Sequence, residues 1–140
     1  MALSDHRLFR LLEKLSLPTS DYVVTGSGPL LAHGLKANIH DLDLIARGEA
    51  WAIAEELGRV RPARSSTGLW VVLFDGDIEV FDHWIGGLDD ADAMIDAAEL
   101  IEGVPFMPLA DTLRWKRDLG RAKDLADIRL IERHLAVPAR

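Results

Sequence analysis

The chain has 140 residues, 49% of them apolar, no cysteine, and a formal net charge of -7 from 16 Lys+Arg against 23 Asp+Glu. That is enough apolar material for one core of ordinary domain size without disulfides, and it excludes thiolate–metal and thiol redox chemistry. The acidic balance argues against tight non-specific nucleic-acid binding, and no apolar run approaches the roughly 20 residues of a membrane span. The opening residues are charged throughout and show no N-terminal signal, so one soluble, cytoplasmic domain over 1–140 is the default expectation.

Leu8, Leu11, Leu12 and Leu15 recur at helical spacing and predict a helix from Ser4 to Leu17, stopped by Pro18. Asp21 to Thr25 reads as a buried strand. Gly26-Ser27-Gly28 then makes a turn into a helix that opens at Pro29 and stops near Gly34. Lys36 to His40 is a loop entering a strand over Asp41 to Ala46. Glu49 to Leu57 is a short helix that offers Trp51, Ile53, Ala54 and Leu57 for packing, and Gly58 ends it. Arg59 to Gly68 is polar, carries Pro62, and reads as mostly loop. Leu69 to Phe74 is an apolar strand joined through an Asp75-Gly76 hairpin turn to a return strand over Asp77 to His83, its antiparallel neighbour.

Trp84 to Leu88 reads as a turn and Asp89 to Ala98 as a helix. Glu99 to Met107 suits a second hairpin bent at Gly103. Leu109 to Leu119 is a helix burying Leu109, Leu113 and either Trp115 or Lys116. Asp124 is placed to cap a last helix with Leu125, Ile128, Ile131 and Leu135 on one stripe. Pro138 and Arg140 belong to a frayed tail. Basic residues collect at Arg59, Arg61 and Arg64, and again at Arg114, Lys116, Arg117, Arg121 and Lys123.

The chemistry centres on Gly26 through Asp43. The turn frees backbone N–H groups at a helix start, where the macrodipole favours phosphate. Side chains alternate along a strand, so Asp41 and Asp43 share a face with Cα atoms about 6.5 Å apart, while Leu42 and Leu44 face a core. On the return strand Glu79 lies between Ile78 and Val80 and takes the face opposite to them. If the two strands are neighbours, three carboxylates converge, and each pair at about 5 Å repels by roughly 3 kcal/mol at an effective dielectric of 20. Magnesium is the natural cation to relieve this.

Gly26-Ser27, thirteen intervening residues, Asp41-Leu42-Asp43 and a later isolated acid at Glu79 resemble the nucleotidyltransferase superfamily related to DNA polymerase beta. Leu31-Ala32-His33-Gly34 before Asp41-Leu42-Asp43-Leu44, and Lys116 followed by Gly120-Arg121-Ala122-Lys123-Asp124-Leu125-Ala126-Asp127, are similar to its compact bacterial branch containing AbiEii-type toxins. Glu79 stands where many members carry Asp. The resemblance implies an α/β (α+β) fold, a mixed β-sheet flanked by helices. It implies that Asp41, Asp43 and Glu79 hold magnesium on an NTP. Glu79 would also help deprotonate the attacking hydroxyl. Gly26, Ser27 and Gly28 would carry the terminal phosphates, with Lys116, Arg121 or Lys123 neutralising the leaving pyrophosphate. The product would be a nucleoside monophosphate joined to a hydroxyl of tRNA, protein or a small molecule. A rival expectation is a catalytically weak binding module of the same fold, acting as a toxin–antitoxin partner with a partner protein or a second copy.

Blander readings stand beside these. Gly26-Ser27-Gly28 also suits a plain strand-to-helix turn, and Leu31 breaks the dinucleotide fingerprint. Asp41, Asp43 and Glu79 also suit solvated strand positions, and Asp82 is a rival third acid on the opposite face. His33, His40 and His83 read as paired or loop histidines. Lys116, Arg121 and Lys123 also suit partners for Asp124 and Asp127. Trp51, Trp70, Trp84 and Trp115 read mostly as core or interface, with base stacking as the alternative.

Overall fold

The computed structural model describes residues 2–63, 68–83 and 90–136. The turn expected over 84–88, the helix start at residue 89, Arg64 of the first basic cluster and the tail at Pro138 and Arg140 lie outside the described residues. Among those described, seven strands form one mixed sheet and six α-helices surround it. The strands are β1 (Tyr22–Thr25), β2 (Leu42–Ala46), β3 (Arg59–Pro62), β4 (Leu69–Leu73), β5 (Ile78–Phe81), β6 (Glu99–Ile101) and β7 (Val104–Phe106). The helices are α1 (Arg7–Leu15), α2 (Gly28–Ala32), α3 (Gly48–Leu57), α4 (Ala91–Asp96), α5 (Leu109–Leu119) and α6 (Leu125–Ala136). The sheet order is β3-β4-β5-β2-β1-β7-β6, with β2–β5 and β1–β7 parallel and every other neighbour antiparallel. Among the described residues, no helix is long and apolar enough to cross a membrane.

Alternation along the central strands sorts the chain into layers. Leu42, Leu44, Val71, Leu73, Ile78 and Val80 face one way, into the main core under α1 and α3. Val23 and Ile45 face the other way and meet Met94 and Ile95 of α4. A third cluster joins Leu30 of α2 to Leu109, Leu113 and Ile131 of the α5–α6 pair. The helical pair is thereby bolted to the turn that follows β1.

Three sequence expectations need correction. Residues 59–62 form β3, an edge strand paired with β4, rather than loop. Pro62 tolerates the edge because its missing N–H costs no ladder bond there. The Asp75-Gly76 hairpin turn is as expected, with both residues at positive φ, and Phe74 joins them in one 3-10 turn. The stripe expected on α6 is only half buried: Ile131 is fully buried, whereas Leu125 and Leu135 are exposed. Asp124 sits at the end of a 3-10 turn before α6, and its carboxylate accepts from Lys116 and Arg121.

Candidate active site

The acids come together by strand register. β2 and β5 run side by side and parallel, with Asp43 level with Glu79. Asp41 lies one residue before β2, where the Leu42 N–H donates to Asp77 O across to β5. One carboxylate oxygen from each of Asp41, Asp43 and Glu79 lies within 4.8 Å of the others. Asp82, the rival acid, is held elsewhere: its Oδ1 accepts from the Leu69 N–H at 2.8 Å and lies 2.9 Å from His83 Nδ1.

The three carboxylates differ in environment. Asp43 is half-buried, and its Oδ1 is out of solvent with no hydrogen-bond partner among the described residues. Burial pushes its pKa up to about 8, with the negative charges of Asp41 and Glu79 adding to the effect and Lys123 opposing it. Asp41 is also raised, first by burial, while His40 and Lys123 pull it back. A buried oxygen with no donor and a proton held toward neutral pH mark a cluster short of positive charge.

Gly26 brings the turn against this cluster. It has φ +65, and a Cβ on it would lie 2.8 Å from Asp43 Oδ2. Only a glycine combines that backbone with that approach. Gly28 is needed for packing, since a Cβ there would sit 2.4 Å from Val24 Cγ1. The cradle is smaller than the sequence suggests. Leu30 and Leu31 spend their N–H groups on Ser27 O, and Pro29 has none. The Ser27 hydroxyl donates to Asp127 Oδ2 at 2.7 Å, so its single proton is already committed.

The three basic residues separate. Lys116 is 2% exposed, with Nζ 2.9 Å from Asp124 Oδ1 and 3.4 Å from Asp127 Oδ2, so its charge faces those two carboxylates. Arg121 donates through Nε to Asp124 at 2.6 Å and lies over the Trp115 ring. Lys123 is exposed, and its charge acts on both Asp41 and Asp43.

Asp127, which the sequence offers as a partner for the basic residues, is a wider hub than that reading foresaw. It also accepts from Lys36 Nζ at 2.9 Å. Burial pushes its pKa up, but the hydrogen bonds from Ser27 and Lys36 outweigh this and hold it below the usual range. The signal was present: Asp127 lies on the same helix face as buried Ile131, four residues on, where an acid must find partners. Among the histidines, His33 Nε2 lies 2.7 Å from Glu99, and His83 lies beside Asp82.

No family model and no curated protein matches this chain. Two solved structures do. A Thermotoga maritima protein assigned as a nucleotidyltransferase matches with a TM-score of 0.62 and 19% identity, covering 92% of this chain and 93% of that one. ANT(2")-Ia, solved in complex with adenylyl-2"-tobramycin, matches with a TM-score of 0.51 and 18% identity, covering 94% of this chain and 87% of that one. At such identities the likeness lies in the backbone: this chain has the fold of those nucleotidyltransferases, with an acidic triad on and just before its central strands.

Proposed function

We propose that the protein is a magnesium-dependent nucleotidyltransferase that moves a nucleoside monophosphate from an NTP to an acceptor hydroxyl. The observation that carries this is the convergence of Asp41, Asp43 and Glu79 against the Gly26 turn, on a fold shared with proteins of that class. The donor set fits magnesium: three hard carboxylates, one with a buried oxygen that has no donor among the described residues. Asp41, Asp43 and Glu79 would hold it together with the triphosphate. When bound, magnesium neutralises phosphate charge and stabilises the entering and leaving oxygens.

The chain's own groups then have distinct tasks. The acceptor oxygen bonds to the α-phosphorus, the bond to the β-phosphate oxygen breaks, and pyrophosphate leaves. Glu79 takes the proton of the acceptor hydroxyl. The backbone at Gly26, Ser27 and Gly28 carries the terminal phosphates, and Lys123 offsets charge on the leaving group. Arg121 stays tied to Asp124, the residue after Lys123. The segment from Gly120 to Asp127 supports placement in the AbiEii-type branch.

Calorimetry with a non-hydrolysable NTP tests the site, and label transfer from an α-labelled NTP tests the reaction. Nucleotide affinity is expected only with magnesium and is lost in Asp41→Ala/Asp43→Ala. A wild type whose nucleotide affinity ignores magnesium, or matches that variant, removes the proposal.

A further inference from the structure

The register of the sheet places more than acids on the face that carries Asp43 and Glu79. Cross-strand partners project to the same side. Asp43, Glu79, Val72 and Arg59 therefore form one row across β2, β5, β4 and β3. Phe81, Trp70 and Arg61 form the next row on that face. The Trp70 and Phe81 rings stack, 6.3 Å between centroids and 7° between planes, and Arg61 Cζ lies 5.9 Å from the Trp70 centroid. Arg59 and Arg61 are exposed. A chain of net charge -7 thus puts two guanidinium groups and two aromatic rings beside its acidic triad.

We infer that this β3–β5 stretch seats the acceptor, and that the acceptor is the unpaired end of a polynucleotide. The inference deepens the proposed nucleotidyl transfer and rests on it. The Gly26 turn lies on the β1 side of the triad and leaves the NTP phosphates there, so a hydroxyl approaching Glu79 comes from the β4 side. Nucleobases pack against Trp70 and Phe81, and phosphates meet Arg59 and Arg61, the combination that single-strand-binding surfaces use. A polycationic acceptor is disfavoured by the same two guanidinium groups. Three strands at about 4.8 Å spacing give a shelf about 10 Å across, wide enough for one strand and too narrow for a duplex.

Fluorescence anisotropy without magnesium or NTP tests it, using labelled oligo-U and oligo-A of roughly 12 nucleotides and a hairpin duplex. The wild type is expected to prefer the single strands. Trp70→Leu weakens binding about tenfold, and Trp70→Phe, which keeps a ring, recovers most of it. Arg59→Ala/Arg61→Ala, both at exposed positions, lowers the slope of log K against log salt by about 1.4, at about 0.7 per phosphate contact. All three variants keep wild-type affinity for magnesium–NTP. Equal binding of single strand and duplex, or variants that bind oligonucleotide like the wild type, overturn the inference. A wild type that binds the oligonucleotide but not magnesium–NTP removes the transfer reading and leaves the subsite. The reverse result removes the subsite alone.

Discussion

Asp43 shows how a single side chain trades stability for ligand capacity. Its pKa, raised to about 8 by burial and by Asp41 and Glu79, means that ionising it opposes folding at neutral pH. Asp43→Asn removes that charge at nearly constant volume, so the metal-free protein is expected to melt several degrees higher, a gain of a few kcal/mol. The same variant is expected to lose the rise in Tm that magnesium gives the wild type. Melting in chelator and in magnesium checks both, and a lower Tm in chelator contradicts the account. Lys116 is the opposite case. Buried between Asp124 and Asp127, it is structural, so Lys116→Met is expected to cost about 3–5 kcal/mol in urea denaturation by leaving two carboxylates short of a cation. The variant that remains folded keeps its affinity for magnesium–NTP, which a phosphate-binding lysine would not allow.

At the scale of elements, the turn between β1 and α2 is held from both sides, by contact with Asp43 and by the Ser27–Asp127 hydrogen bond to α6. Gly26→Ala forces a side chain into positive φ and into Asp43 Oδ2. It is expected to lower the transfer rate about a hundredfold through displacement of the carboxylate, while leaving the melting temperature within a few degrees. A rate near that of the wild type would show that the close approach is dispensable. This turn was legible in the sequence because glycine, proline and alternating strand residues each have a local signature. The approach of Asp43 to Glu79 was legible only on the condition that their strands are neighbours, and the level register comes from the sheet itself. β3 was not legible: Arg59, Arg61 and Pro62 lack a strand pattern, and only pairing with β4 makes them one. Of the Lys116–Asp124–Asp127 cluster the pairing of opposite charges was legible, but not its burial. Helical spacing set those residues on faces, but their burial depends on α5 and α6 packing together, which no local pattern encodes.

Across the whole molecule, two sets of carboxylates pull the pH dependence of stability in opposite directions. Asp124 and Asp127 have folded pKa values below their unfolded ones. Burial raises each, but donors from Arg121 and Lys116, or from Ser27 and Lys36, prevail. Their contribution is present above about pH 4 and is lost as pH falls through the folded value. His6, whose ring accepts from the Leu8 N–H at the start of α1, is lowered by burial and then by Arg7 and Arg10, which adds a loss below about pH 6.5. Asp43 and Asp41 are raised, so their contribution is full below about pH 4 and fades as pH climbs, for Asp43 until about 8. The metal-free protein is therefore expected to be most stable in mildly acidic solution, near about pH 5, and to weaken toward pH 8. Magnesium binds only the ionised triad, so it lifts the alkaline limb and moves the maximum toward neutrality. Thermal melts from acid to mild alkali, with chelator and with magnesium, check this. The magnesium-induced rise in Tm should grow with pH and vanish near pH 4. A rise equal at pH 5 and pH 8 would mean that the cation binds somewhere other than the triad.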